Sequence, residues 1–366
     1  DGQTDNDRSA SFVINSDVEV FGGFAGYEYD IDERDIATNQ TILSGDIDNS
    51  PDDNCQNSYH VVWFEQASKQ TTLDGFTITG GNADYSSLPD NSGGGIYVNG
   101  DMGSCNPIIR NCNIVFNSAA HVGGGIMNNG DDGFANPTLI NCRISNNSAN
   151  DAGGIYNDCD NGVSNPTLIN CLVANNQASG KGGGMLNDGN KGTSSPVVAN
   201  CTFTGNTAVT KGGAISNEVQ NGGACAPQYI NTIVYGNSTT GSQIYNLGEV
   251  EASYKNCDIE GSGGSINWNP ALGSDLGNNT DLPPMFVYYD NQDFHLSGTS
   301  PCIDAGSPLM LSSNIPEYDL DGNPRVVNQT IDIGAFEYQG TTPQGSTNYI
   351  TENTTWCGDT IIISSN

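Results

Sequence analysis

The sequence predicts an all-β fold: a right-handed parallel β-helix, a solenoid of coils about 30 residues long, with a C-terminal capping segment. Three observations predict it. Between residues 93 and 240 one unit recurs five times, with a period of 29 to 31 residues. Two asparagine columns run through that unit, six residues apart. Apolar residues sit at fixed offsets that one straight strand could not bury together.

Each unit opens with two small residues and an apolar one: Gly94-Gly95-Ile96, Gly124-Gly125-Ile126, Gly153-Gly154-Ile155, Gly183-Gly184-Met185 and Gly213-Ala214-Ile215. A polar loop and a proline follow (Pro107, Pro137, Pro166, Pro196, Pro227). Then comes Asn111-Cys112, Asn141-Cys142, Asn170-Cys171, Asn200-Cys201 or Asn231-Thr232. The second asparagines are Asn117, Asn147, Asn176, Asn206 and Asn237.

Three residues before the cysteine position stand Ile109, Leu139, Leu168, Val198 and Tyr229. Two residues after it stand Ile114, Ile144, Val173, Phe203 and Val234. These offsets share no face of a period-two strand, so the chain turns between them. Asparagine tolerates the left-handed conformation a corner needs, and its amide can bond neighbouring backbone. The second column marks another corner, and stacked amides in both columns can bond along the axis. A helical repeat of similar length is rejected, because every unit carries Gly, Pro and many Asn. The β-branched and aromatic bursts favour strands.

Residues 1–266 read as the β-helix, with the regular repeats at 93–240. Val18-Glu19-Val20-Phe21, Thr41-Ile42-Leu43-Ser44 and His60-Val61-Val62-Trp63-Phe64 read as strands before the tidy units. In the stretch Leu73-Asp74-Gly75-Phe76-Thr77-Ile78, Gly75 takes the asparagine place and Phe76 the cysteine place. Residues 267–339 are turn-rich and read as an end cap over open strand edges. Residues 340–366 read as a linker and the start of a further module. The opening Asp1-Gly2-Gln3 and the apolar Thr360-Ile361-Ile362-Ile363 suggest a piece of a longer polypeptide.

The chain has 366 residues, with 42 acidic against 10 basic and a net charge of −32. That balance argues against nucleic acid, which needs Lys and Arg to neutralise phosphate, and against anionic membrane surfaces. No apolar run is long enough to span a bilayer. The expected setting is extracellular or on a bacterial cell surface. The loop after each strand of the Gly-Gly segment is near-constant in length and acidic: Asp101, Asp131-Asp132, Asp158 and Asp160, then Asp188. Stacked, these loops form one lateral ridge. Of the 11 cysteines, the column Cys112, Cys142, Cys171 and Cys201 is expected to be unpaired interior thiols, with Cys257 following in a degenerate unit. Cys55, Cys105, Cys159, Cys225 and Cys357 lie in polar stretches and could pair in an oxidising compartment.

The paired motifs Phe203-Thr204-Gly205-Asn206 and Gly212-Gly213-Ala214-Ile215 resemble the repeats of polymorphic outer-membrane proteins. The other units depart from them, with Ile114, Ile144, Val173 and Val234 in place of the phenylalanine. The 294–338 segment (residues 300–306, 319–325 and 332–338) is similar to the C-terminal part of the choice-of-anchor right-handed β-helix proteins of Bacteroidetes-type bacteria. Residues 21–28 and 43–48 fit the same family. The resemblance implies export (type IX secretion in such bacteria), surface attachment through a sorting domain further C-terminal, and an adhesin role.

Enzymatic chemistry is harder to find. Lyases on this scaffold pair calcium with an Arg or Lys base. The candidate bases are Lys69, Arg110, Arg143, Lys181, Lys191, Lys211 and Lys255, and none aligns with an acidic cluster. His60, His121 and His295 are isolated and read as structural. Calcium itself is the one expected cofactor, because hard oxygen ligands on a flexible turn suit it. Its candidate ligands are Asp46, Asp48, Asp52 and Asp53, and in a second cluster Asp319, Asp321 and Asn323; the alternative is Asp side chains that cap their own turns. The expectation is a non-catalytic stalk, adhesin-like or binding carbohydrate or another surface protein. The alternative is a calcium-dependent polysaccharide lyase or another carbohydrate-active enzyme.

Overall fold

A computed structural model of the chain describes residues 7–50, 55–308, 316–327 and 329–340. It is a parallel β-helix of eight coils. Each full coil contributes one strand to each of four sheets. The fourth coil is typical: Ile126–Asn129, Thr138–Ile140, Arg143–Ser145 and Ser148–Ala149 lie in the first to fourth sheets in turn. The first sheet has eight strands, the second nine, the third eight and the fourth six. Every pairing within them is parallel and in register, Ile96 on Ile126 on Ile155 and Ile109 on Leu139 on Leu168. The coils begin at Phe12–Ile14, well before the tidy units.

Inward positions stack like on like. Ile109, Leu139, Leu168 and Val198 form one buried column, and Ile114, Ile144, Val173 and Phe203 another. Cys112, Cys142, Cys171, Cys201 and Cys257 turn into the same core as unpaired thiols. Cys105, Cys159 and Cys225 differ from expectation. They too are buried and unpaired, because the turns that carry them tuck their bases under the first sheet. Cys357 lies outside the described residues.

The first asparagine column does make the corner. Asn111, Asn141, Asn170, Asn200 and Asn231 all have φ between 48° and 53°. At the second corner the left-handed residue is the one before the asparagine: Phe116, Asn146, Asn175, Gly205 and Gly236. The second asparagines point inward instead and form a buried ladder. Asn147 Nδ2 donates to Asn176 Oδ1 at 3.0 Å and to the Ile144-sheet neighbour Ile114 O at 2.9 Å, and Asn176 Oδ1 also accepts the Asn147 backbone N–H at 3.1 Å. The same set repeats from Asn117 to Asn237. Every side-chain amide of this ladder is thereby satisfied, which removes the cost of placing it in the core. A third ladder, missed in the sequence, runs through Asn128, Asn157, Asn187, Asn217 and Asn246 at 2.6 to 2.9 Å. The opening glycines are steric. A Cβ at Gly94 would stand 2.1 Å from Ser118 O, and one at Gly124 2.3 Å from Ser148 O.

The segment expected to be an end cap divides in two. Residues up to about Asn279 close the C-terminal end: Ser274–Asp275 adds a ninth strand to the second sheet, and Leu272 and Trp268 pack over Tyr254. The remainder lies along the side. Its hairpin, Phe286–Tyr288 with Asp293–Leu296, and residues 300–308, 316–327 and 329–338 run back over the outer face of the third sheet. Phe294, Ala335 and Phe336 bury Leu172 and Ala174, and Leu296, Cys302 and Ile333 bury Ile233. Arg325 is wholly buried in this strap, donating to Asp332 O and Gly334 O.

Candidate functional site

The strap stops at the fourth coil. Beyond its turn at 319–323 the outer face of the third sheet is open. A cleft of about 420 Å³ lies there, walled on one side by Ile36, Ala37 and Gln40 and on the other by Leu320, Asp321 and Gly322. Its floor is polar: Thr41, Thr77, Asn113 and Arg143 from four successive coils, with Asn111 and Asn141 at the corner. Four coils at strand spacing give it a length of about 14 Å. Ile42 and Arg143 stand at the two ends of one outward column, 55% and 35% exposed.

The charged groups around the cleft are tied to one another. Asp74 is fully buried at the second-sheet edge. Its Oδ2 receives Arg34 Nη2 and Arg110 Nε, each at 2.6 Å, and its Oδ1 receives Asn111 Nδ2 at 2.8 Å. At the other wall Asp321 pairs with both Arg143 and His295, whose Nδ1 meets Asp293 Oδ1 at 2.5 Å. The Asp321 contact raises His295 to about 9, with burial opposing and Asp293 adding to the rise, so the imidazole is protonated at neutral pH. Burial pushes the Asp321 carboxyl up, but His295 and Arg143 outweigh it and hold it below the ordinary carboxylate range. Taken together, Arg34, Arg110, Arg143 and protonated His295 face Asp74, Asp293 and Asp321. Four charges against three leave one positive charge, on a chain carrying −32.

The acidic ridge exists, but on a different side, beyond the first sheet. Its loops stack rung on rung, with Gly130 N donating to Asp158 O and Asp160 N to Asp131 Oδ1. Burial, then the neighbouring carboxylates, raise Asp158 to about 8 and push Asp188 and Asp131 upward. Tyr156 OH donates to Asp188 at 3.0 Å, and Lys181 pairs with Glu218 at 2.5 Å. The ridge is therefore partly protonated and internally paired at neutral pH.

The calcium candidates occupy separate places. Asp46 Oδ1 and Asp48 Oδ1 both accept the Ser50 N–H, and Asp48 also accepts the Ser50 hydroxyl at 2.6 Å. Asp52 and Asp53 lie outside the described residues. Asp319 is buried, its Oδ1 accepting the N–H groups of Asp321 and Asn323 and its Oδ2 that of Glu337. Asp321 faces away, toward Arg143 and His295, and Asn323 contributes its carbonyl to Asp319 N. Among the described residues no three His, Cys, Asp or Glu side chains converge as a metal site. Among the described candidates, Asp46, Asp48 and Asp319 accept turn N–H groups and Asp321 pairs with Arg143 and His295.

Of the candidate bases, Arg110 and Arg143 border the cleft in the ion pairs above. Lys191 pairs with Asp160, Lys211 donates to Tyr245 OH, and Lys255 donates to Leu276 O. His60 is buried, its Nδ1 on Gly93 O and its ring against Trp63 and Tyr97, as a structural histidine would be. His295, read as structural, pairs with Asp321 of the cleft wall. Its partner Asp321 is 26 residues away, so no local spacing pointed to it.

The fold and the cleft define a class, a parallel β-helix protein with a lateral polar groove. No family model matches the sequence, and no curated protein matches it. Among solved structures the chain is similar to the crystal structure of pectate lyase Pel9A, at 16% identity and a TM-score of 0.41, over 76% of this chain and 73% of that one. That likeness is too slight to bear on activity, and the architecture rests on the coils themselves.

Proposed function

We propose that the chain is a non-catalytic, exported β-helix stalk whose third-sheet cleft holds a glycan. One observation carries this reading: a single outward column changes character where the strap ends. Leu172, Thr202 and Ile233 lie under the strap, while Thr77, Asn113 and Arg143 stand open between two walls. Hydroxyl, amide and guanidinium groups at regular coil spacing suit an extended polyhydroxylated polymer. They offer directional hydrogen bonds between apolar walls formed by Ile36, Ala37 and Leu320. Six of the seven candidate lyase bases are occupied in ion pairs or hydrogen bonds, which supports binding over proton abstraction. Export and surface attachment rest on the acidic composition and on the family resemblance. Calorimetric titration with neutral, uronate-bearing and sulfated oligosaccharides tests the proposal. Binding weakened by Asn113→Ala, with no unsaturated product at 235 nm in the presence of calcium, is the expected result. Release of unsaturated product would move the chain to the lyase reading, and failure of every glycan to bind would end both.

A further inference from the structure

The strand that supplies Asn113 to the cleft floor ends in an anomaly. Phe116 has φ 56° and is 67% exposed. It occupies the second-corner position that Gly80, Asn146, Asn175, Gly205 and Gly236 fill in the neighbouring coils. Glycine has no Cβ to clash there, and asparagine can offset the clash by local hydrogen bonding. Phenylalanine does neither, and it is the only aromatic residue with positive φ among the described residues. It also leaves a large apolar face exposed, with no ring partner among the described residues. Packing therefore accounts for neither the residue nor its conformation. Strain of this kind, kept where a cheaper residue serves every sister coil, is a mark of a functional position.

Its surroundings say what it would meet. Phe116 lies three residues beyond Asn113, about 10 Å away at the corner that ends the strand Asn113–Val115. Gly80 and Asn146 hold its place in the adjacent coils, Val115 just before it pairs in register with Thr79 and Ser145, and Ser118 follows at the start of the next strand, its hydroxyl on Asn82 Oδ1 at 2.6 Å. A protein partner that docks by apolar burial needs a contiguous apolar patch. Here the ring has the half-buried Val115 beside it and otherwise the hydroxyls and amide of Thr79, Ser145, Asn146 and Ser118, which is too little apolar surface for such a patch. The negative face of an aromatic ring attracts the polarised C–H groups of a pyranose, while nearby hydroxyls and amides take its OH groups. We infer that Phe116 is a sugar-stacking platform, a second contact point for the glycan whose other residues lie in the cleft. The inference rests on the glycan reading of that cleft.

Phe116→Asn copies the sister coils and tests this directly. Relief of the left-handed strain is expected to raise Tm, while affinity for the bound oligosaccharide falls at least tenfold. Phe116→Tyr is expected to keep affinity within threefold, and Phe116→Leu, apolar but without a ring face, to lose it like Asn. Equal glycan affinity in wild type and Phe116→Asn would overturn the platform and leave the cleft standing. Affinity kept by Leu would point to apolar docking instead and also overturn it. A fall in Tm for Phe116→Asn would show the ring to be structural. If no glycan binds the wild type, cleft and platform fall together.

Discussion

The two halves of the third sheet share one backbone and one inward pattern, yet face outward differently. In coils five to seven the outward residues are Leu172, Ala174, Thr202 and Ile233, and the strap covers them. In coils two to four they are Thr77, Thr79, Asn113, Val115, Arg143 and Ser145, of which Thr77, Asn113 and Arg143 line the open cleft. The first asparagine column divides at the same point. Asn141 and Asn111 bond along the axis toward Asp74. Asn170 does both, donating to Asn141 Oδ1 and to the strap carbonyl of Tyr318, while Asn231 and Asn256 turn their amides to the strap carbonyls of Ser307 and Ala305. A solenoid specifies its interior by repetition, and the departures from repetition on its exterior specify where anything else can lie.

The sharpest way to break this comparison is to loosen the covered half. Phe336 is 3% exposed and packs on Leu172 and Ala174. Phe336→Ala is expected to cost about 3–5 kcal/mol in the strap's attachment, through lost burial and a cavity. Limited proteolysis should then cut within 283–339 before the coils, and amide exchange should rise at 172–174. Asn113→Ala, in the open half, should stay within about 0.5 kcal/mol. Equal losses from the two changes would show that the halves are not energetically distinct.

The boundary between the halves titrates. His295 is raised from 6.5 to about 9, so the stability it supplies is full below about 6.5 and is lost as pH rises through 9. Asp321 is lowered, so its share is present above its unfolded value of about 3.9 and is lost as pH falls further. The strap tip is therefore held most firmly from about pH 4 to 6.5. His295 is 43% exposed, so solvent screening limits the effect to about 1 kcal/mol or less. Asp321→Asn should flatten the loss of Tm between pH 6.5 and 10. The same alkaline loss in wild type and variant would place the titrating group elsewhere.

How much of this was legible follows from what repeats. The Ile109 and Ile114 columns, the cysteine column and the Asn111 corner could be read because every unit restates them. The Asn128 ladder went unread because Val98 and Phe64 hold its register in the earlier coils, so the column starts late. The lateral course of the strap has no local signature, since Phe336 meets Leu172 across more than 160 residues of chain. A trace of it was present all the same, in the change from Asn113 and Arg143 to Leu172 and Ile233 one residue after the cysteine position. Phe116 becomes conspicuous only once its position is known to be left-handed, and only the backbone shows that.

The smallest expected effect concerns calcium, and it bears on the turn that walls the cleft. If the 319–323 turn is held as its hydrogen bonds indicate, Asp319 already uses both oxygens on three backbone N–H groups. Asp321 is meanwhile drawn outward by Arg143 and His295. A cation would have to displace those donors before it gained a ligand. Chelation with EDTA is therefore expected to move Tm by less than about 1 °C, well under the roughly 2–4 °C that 1 kcal/mol produces in a domain of 150–250 residues. Asp319→Ala should lower Tm with or without calcium, because it strands one buried and two part-buried N–H groups. A calcium-dependent rise of several degrees that Asp319→Ala abolishes would make the turn a metal loop. A rise that survives Asp319→Ala but is lost with Asp46→Ala would instead assign the ion to the 46–50 turn.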